Sequence, residues 1–441
     1  MRIRPDKRLR GNQRLPGDKS ISHRAAIIAA LAEGSTRIDN FSTSQDCAAT
    51  LSCLKQLGVK IEQQGASILI EGSGPDGLRA PLEPLDCGNS GSTMRMLAGA
   101  LAAQDFVSEL TGDESLRTRP MQRIIEPLTQ MGAHISSTDG RAPLIITGRR
   151  PLKHISYRMP VKSAQVKSCI LLAGLGADGQ TEVTEETAST RDHTERMLKW
   201  FGVPLKIESE AIDASTQKIS LKGLSTLLAR NIEIPGDISS AVFFMIAAAA
   251  LPDSDLEIKD VGLNPTRAEI IKTLRELGAQ VLVEKERERC NEAIGDIHVR
   301  GINSLSNISS NQTTNILRGQ AVARLIDELP ALAVFGTQVA GGLVIRDAQE
   351  LRVKESDRIR ATVENLRAMS ADVEEYNDGL RVAGRVQLRG AKLDSHGDHR
   401  IAMAFTIAAL LAEGESEMVG ADCASVSLPE FYQLLESVIE R

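Results

Sequence analysis

The feature that most constrains this chain is a repeat. One unit recurs six times: a polar turn bearing Gly or Ser, an Ala/Leu-rich helix, a Gly-containing break, then an apolar strand. It appears as Lys19-Ser20 running into AAIIAALAEGSTRI, as GNSGST (88–93) into MRMLAGALAAQ, and as VKSAQVKS (161–168) into CILLAGLGADGQTEV. The later copies are GDISSAVFFMIAAAALPDSDLEI, DELPALAVFGTQVAGGLVI and GDHRIAMAFTIAALLAEGESEMV. After each of the first five comes a second helix, a small-residue break and a strand: LKQLGVKIE, LTQMGAHIS, LKWFGVPLKIE, LRELGAQVLVE and LRAMSADVEE. Gly behind the last helical Leu or Met is a helix C-terminal signal, and the alternation that follows reads as a strand. The sixth copy runs instead into FYQLLESVIER. The expected architecture is six strand–helix–strand–helix–strand units, an α/β (α+β) fold.

Helix starts are expected near residues 20, 90, 163, 238, 327 and 398, about 70 to 75 apart except for one gap near 90. That gap holds the polar stretch from Glu284 to Asn315, read as inserted loops or irregular strands. Pro-Gly-Asp occurs at 16–18 and again at 235–237, an offset of 219 residues, half the chain. A two-stranded hinge is placed there, with one domain over 18–235 and the other over 1–17 plus 236–441. A solenoid is the plain alternative for any repeat, but solenoid periods are usually about 20 to 50 residues.

Aromatic residues are only 3%, so Ala, Leu, Ile and Val must fill the core. A formal charge of −6 argues against a nucleic-acid partner or an acidic membrane surface, which need a basic face. Cys47, Cys53, Cys87, Cys169, Cys290 and Cys423 are scattered without a CxxC pair and read as reduced thiols in a reducing compartment, mostly core filler. The longest uncharged apolar run, Ala241 to Leu251, is too short for a bilayer, and no secretory signal is read. A cytoplasmic, monomeric protein is expected.

Chemistry should sit at the polar turns. Helix N-termini leave N–H groups unpaired and carry partial positive charge, so several of them together make an anion site. Cations cluster there: Lys19 and Arg24, Arg95, Lys162 and Lys167, and Arg400. Ser20 and Arg24 are four apart on one face, and Lys, hydroxyl and Arg together suit a phosphate monoester. The plain reading is a capped helix with solvated charges. The spacing GxxxxGK[ST] is absent, which excludes a P-loop. GNSGSTMR (88–95) would let backbone approach a ligand, and Arg117 and Arg119 precede Pro120. In LRVKESDRIR (351–360) a helix would place Lys354 and Arg358 on one face with Glu355 three from Arg358, though a salt-bridged surface helix reads equally well. Asp327-Glu328 at the fifth helix start reads as ordinary capping unless cations face it. HGDHR (396–400) has two histidines but no further ligand cluster, so a metal is not expected. Neither GxSxG nor GxGxxG is present at a strand–helix turn.

Taken together, LPGDKSISHRA, GNSGSTMR, RPMQRIIEPL, KSAQVKSCILLAGL, TRDHTERM, PGDISSA, RVKESDR and DHRIAMAF resemble the 5-enolpyruvylshikimate-3-phosphate synthase family, in that family's order. RDHTERM is similar to the branch that includes glyphosate-tolerant enzymes. The resemblance implies an inside-out αβ barrel: two similar domains of three βαβαββ units that close over the substrates, with no cofactor or metal. It implies transfer of the enolpyruvyl group of phosphoenolpyruvate to shikimate 3-phosphate. Lys19, Ser20, Arg24, Ser163, Ala164, Gln165 and Arg191 would bind shikimate 3-phosphate, Ala164 through backbone alone. Lys19, Gly91, Arg119, Gln165, Arg358 and Arg400 would line the phosphoenolpyruvate pocket. Asp327 and Lys354 would hold the shikimate hydroxyls. Asp327 would accept a proton, Glu355 would donate one, and Lys19 would serve catalysis as well as binding.

One position departs from the family. Many members carry Lys three residues before a late Pro, where this chain has Val426. His399 and Arg400, or another Lys, would then serve the leaving phosphate. Two rivals stand beside this reading. A transferase acting on UDP-N-acetylglucosamine shares the fold but carries a reactive-Cys loop that is not found here. A non-catalytic anion-binding protein would bind both ligands and release no phosphate.

Overall fold

The computed structural model describes residues 1–6, 8–186, 190–209, 216–301 and 315–440. By packing, the chain divides into two units. The N-unit is Pro16–Ile234 with Glu288–Glu292, and the C-unit is Met1–Leu15, Pro235–Arg287 and Ala293–Arg441. Each has its own hydrophobic cluster.

The repeat appears as six alanine-rich helices, here α1 to α6: Lys19–Leu31, Gly91–Ala102, Ala164–Gly174, Ile238–Ala250, Leu329–Gly336 and His399–Leu410. All are buried over most of their length, which explains the small side chains. In α2, a Cβ added at Gly99 would lie 2.2 Å from the Cys169 carbonyl oxygen of α3. The two backbones touch there, and only glycine fits.

Each N-unit sheet has four strands in one order. The second sheet is Leu85–Asp86, Val107–Thr111, Arg141–Thr147, His134–Thr138, and the third is Ser156–Arg158, Gln180–Glu185, Gln217–Lys222, Leu205–Ser209. The first two strands pair in parallel across a core helix, and the last two form an antiparallel hairpin. The repeat is thus βαβαββ, one strand more than the expected strand–helix–strand–helix–strand unit. The extra strand is the return arm of that hairpin, which the repeat pattern had not separated.

At the Pro-Gly-Asp sites the two units exchange leading strands. Arg8–Arg14 feeds α1 of the N-unit but pairs with Asp255–Gly262 of the C-unit. Ile232–Glu233 feeds α4 of the C-unit but pairs with Glu33–Asp39 of the N-unit. Gly17 allows the tight passage, since a Cβ there would sit 1.8 Å from the Asn40 carbonyl oxygen. Among the described residues, the sixth repeat has no hairpin of its own. Arg2–Ile3 fills the vacant place, antiparallel to Ser416–Val419, whose parallel neighbour is Lys392–Asp394.

The second helices end as their sequences imply. Gly58, Gly132, Gly202 and Gly278 follow them with φ of 86°, 99°, 85° and 94°. The fifth copy has Ser370 at φ 67°, a left-handed conformation that a non-glycine residue adopts at some cost.

Two expectations are corrected. The stretch from Glu284 is not irregular at its start: Gln280–Arg289 and Glu292–Arg300 form a long hairpin. Cys290 and Asn291, at φ 50° and 62°, make its two-residue turn. The remainder of that stretch, 302–314, lies outside the described residues. The expected helix over 351–360 is also two elements. A 3-10 turn covers Gln349–Val353, Lys354 is extended, and a helix begins at Arg358 because Asp357 caps it by accepting from the Arg360 N–H. Lys354 and Arg358 therefore do not share a helical face. Among the described residues, no helix is long and apolar enough to cross a membrane.

Candidate active site

In the N-unit, three core helices begin with a side-chain cap. Asp18, Ser90 and Ser163 accept from the N–H groups of Ile21, Thr93 and Val166. Those caps leave other first-turn N–H groups of α1, α2 and α3 pointing outward from the helix ends. The side chains near these helix starts are each held by nearby partners. Lys19 pairs with Asp46 at 2.7 Å. Arg24, 3% exposed, donates through Nε to Thr194 Oγ1 (2.7 Å), through Nη2 to Ser168 Oγ (2.9 Å) and through Nη1 to the Ser20 carbonyl (2.8 Å). Arg95 donates to Gln165 Oε1, and Gln165 Nε2 donates to Ser92 Oγ at 2.8 Å. Arg119 donates to Asn89 Oδ1 (2.7 Å) and Ser115 Oγ (3.2 Å). Gly91 opens α2, and a Cβ there would meet Arg95 Nη1 at 2.8 Å and Arg119 Nη1 at 3.6 Å. Ala164 is the first residue of α3, and half-buried Arg191 lies two residues before the helix His193–Trp200.

In the C-unit the focus is Arg358, whose side chain is 2% exposed. Its Nε donates to Asp398 Oδ2 at 2.7 Å, Nη2 to Glu355 Oε2 at 2.6 Å, and Nη1 to Asp327 Oδ1 at 3.4 Å. Burial alone would lower the pKa of this guanidinium. Asp398, Glu355 and Asp327 more than offset that and hold it above the ordinary arginine value, so its charge is permanent. Lys354 reaches Asp327 at 3.5 Å and Glu350 at 3.6 Å. Cations thus face Asp327, the condition that the capping reading had set. Glu328 does not cap α5 with its side chain; it accepts from Ser239 Oγ, which also accepts from Arg267. Asp398 caps α6 through the Arg400 N–H, and Arg400 Nη1 donates to the Ser239 carbonyl at 3.0 Å. His399 is buried beside it, and Val426 ends the 3-10 segment Ala421–Val426.

A family profile described as EPSP synthase (3-phosphoshikimate 1-carboxyvinyltransferase) matches residues 3–435. A 3-phosphoshikimate 1-carboxyvinyltransferase of Koribacter versatilis is 49% identical, covering 100% of this chain and 99% of that one. Its counterpart in Solibacter usitatus is 48% identical, with 100% and 99% covered. The solved EPSP synthase of Acinetobacter baumannii superposes with a TM-score of 0.86 at 42% identity, covering 99% of this chain and 98% of that one. The chain belongs to the EPSP synthase family. The enolpyruvyl transferase NikO of Streptomyces tendae, at 18% identity and a TM-score of 0.75 over 99% of this chain and 96% of that one, shares the fold.

Within an EPSP synthase family chain, the thiols stand apart from the chemistry. Burial pushes Cys47 up to about 12 and Cys423 up to about 11, and it raises Cys169 and Cys290 as well. None of these four is an activated nucleophile. Sequence reasoning missed Asp46, Ser168, Thr194 and Asp398, the groups that hold Lys19, Arg24 and Arg358. It counted Lys167 among the cations at helix starts. The side chain is instead 1% exposed and paired with Glu185 and Glu195, each at 2.7 Å.

Proposed function

We propose that this chain transfers the enolpyruvyl group of phosphoenolpyruvate to the 5-hydroxyl of shikimate 3-phosphate, with the two constellations taking different parts. The reaction needs a hydroxyl to attack C2 of phosphoenolpyruvate while C3 gains a proton; phosphate then leaves from the tetrahedral intermediate as C3 gives a proton back, which restores the carbon–carbon double bond. The two substrates carry two phosphates and two carboxylates. Their mutual repulsion at low dielectric is offset by fixed cations and helix N-termini. Lys19, Ser20, Arg24, Ser163, Gln165 and Arg191, with the Ala164 N–H, take shikimate 3-phosphate. Lys19, Arg119, Gln165, Arg358 and Arg400 take phosphoenolpyruvate, against the bare Gly91. Lys354 and Asp327 hold the shikimate hydroxyls, Asp327 accepts the hydroxyl proton, and Glu355 delivers a proton to C3.

The observation that carries this assignment is the Arg358 guanidinium, which touches both Asp327 and Glu355 through different nitrogens. One fixed cation thus holds the two carboxylates assigned to proton transfer side by side. The Asp327 contact is long, so this arm of the guanidinium can also meet an incoming anion. The deciding experiment is release of inorganic phosphate with both substrates present, then with each omitted. Release that persists without shikimate 3-phosphate, or no release with both, ends the proposal. With glycine at position 91, glyphosate should compete with phosphoenolpyruvate. The working form is taken as a cytoplasmic monomer without metal or cofactor, which sedimentation and chelation assays can check.

A further inference from the structure

Behind the phosphate-binding constellation lies a charged cluster that the chemistry above does not use. Lys167, Glu185 and Glu195 have side chains 1%, 2% and 2% exposed. Lys167 Nζ bridges Glu185 Oε2 and Glu195 Oε1, each at 2.7 Å, and reaches the Thr190 carbonyl at 3.4 Å. Glu185 Oε1 accepts from the Thr190 N–H at 3.2 Å and from Thr190 Oγ1 at 2.5 Å. Glu195 Oε2 meets no donor among the described residues, so Lys167 is what compensates that carboxylate. Burial alone would lower the Lys167 pKa; Glu195 and Glu185 more than offset this and hold it raised, so the ammonium persists.

Burying three charges to stabilise a fold is a poor bargain, because apolar residues of similar volume do at least as well. The cluster's neighbours suggest another role. Thr190, held by both Glu185 and Lys167, is followed directly by Arg191. Ser168 and Thr194, adjacent in sequence to Lys167 and Glu195, bond each other at 2.6 Å and receive Arg24. Two parallel rungs therefore join α3 to the helix His193–Trp200. One is ionic, Lys167–Glu195, and one is of hydroxyls, Ser168–Thr194. The hydroxyl rung seats Arg24, and the ionic rung with Glu185 seats the backbone that carries Arg191.

We propose that the buried Lys167–Glu185–Glu195 cluster is a positioning clamp that fixes Arg191, and through the adjoining rung Arg24, for the phosphate ester of shikimate 3-phosphate. This rests on the reading of Arg191 and Arg24 as ligands of that phosphate. The clamp residues touch no substrate. They define where two arginine side chains end, which matters because a phosphate site loses affinity when its donors are misplaced.

Lys167→Met is a poor probe, because it would leave two buried carboxylates without a partner. Glu185→Gln leaves the neutral pair Lys167–Glu195 and weakens the grip on Thr190; Glu195→Gln leaves Lys167–Glu185 and loosens the ionic rung. The measurement is calorimetric affinity for shikimate 3-phosphate and for shikimate, which lacks the phosphate, with thermal melts to confirm folding. Glu185→Gln should weaken shikimate 3-phosphate about tenfold, the scale of one charge-assisted hydrogen bond, and leave shikimate within about twofold. Added to Arg191→Ala, it should cost less than about twofold more, because both act at one point. Glu195→Gln gives the same reading should Glu185→Gln misfold. Equal loss for both ligands, or full additivity with Arg191→Ala, overturns the clamp. If Arg191→Ala itself leaves shikimate 3-phosphate affinity unchanged, the phosphate assignment fails instead.

Discussion

The helices that follow the two Pro-Gly-Asp turns start alike and then diverge. Asp18 and Asp237 both cap their helix, accepting from Ile21 N–H at 2.9 Å and Ser239 N–H at 2.8 Å. At the same offset, Ser20 corresponds to Ser239, and each backbone carbonyl accepts from a guanidinium Nη1, at 2.8 and 3.0 Å. In the N-unit that guanidinium is Arg24, one turn along the same helix. In the C-unit the matching position is Phe243, and the guanidinium is Arg400 from α6, 5.9 Å above the Phe243 ring. Lys19 and His23 likewise correspond to Ile238 and Val242 at that offset. One skeleton thus makes two kinds of site. Carboxylates gather round Arg358 in the C-unit, whereas hydroxyls and amides hold Arg24, Arg95 and Arg119 in the N-unit. The hydroxyl and amide contacts fix where the N-unit guanidinium groups lie, and Arg358 gathers three carboxylates round one charge.

Lys19 is where this contrast should break most visibly. Lys19→Met puts an apolar side chain where the C-unit has Ile238 and strips Asp46 of its ion pair. Binding of both substrates should disappear in calorimetry. Unchanged affinity would mean that the cation after the first Pro-Gly-Asp is incidental and that the two units differ for another reason.

Asp327 tests the other half. Asp327→Ala should cut turnover by at least about a hundredfold, the low end for losing a general acid or base. Substrate affinity should change less, because the N-unit cations remain. Turnover near that of the parent would remove Asp327 from the mechanism and leave the C-unit carboxylates as mere partners of Arg358.

How much of this was legible follows from how local each signal is. The six core helices were, because caps, alanine runs and terminal glycines act within a few residues. Lys19 and Arg24 were, since they flank one helix start. Their anchors were not: Asp46 is 27 residues from Lys19, and Ser168 and Thr194 are 144 and 170 from Arg24. A charged stretch can also mislead. The spacing of Lys354, Glu355 and Arg358 suits a helix, but Asp357 caps at that point and starts the register at Arg358. The hairpin turn Cys290-Asn291 carries no glycine, and so its strands read as irregular.

Gly91→Ala sharpens the N-unit side more gently. Its φ is not in the left-handed region, so the issue is space rather than backbone. The new methyl would press on Arg95 Nη1 at 2.8 Å, and Arg95 is tied to Gln165. Displacing that pair should raise KM for phosphoenolpyruvate about tenfold, the scale of one disturbed charge-assisted hydrogen bond, and weaken glyphosate at least as much. A KM change confined to shikimate 3-phosphate would move Gly91 out of the phosphoenolpyruvate pocket.

The smallest effect concerns stability. His23 is buried where the C-unit has Val242, with Nδ1 on Thr50 Oγ1 at 2.7 Å and Nε2 meeting no partner among the described residues. Burial first, then Lys19 and Arg24, lower its pKa well below 6.5, and Asp18 opposes them only in part. The folded chain therefore keeps His23 neutral at pH values where the unfolded chain protonates it. The unfolded state binds more protons, so unfolding free energy rises with pH and is lost as pH falls below about 6.5. One such group contributes a slope of at most about 1.4 kcal/mol per pH unit. His23→Val, which copies the C-unit residue, should flatten that acid limb in urea melts between pH 5 and 7, whatever it does to stability at neutral pH. An unaltered slope would place the acid sensitivity elsewhere, and the polar interior of the N-unit would then cost nothing at low pH.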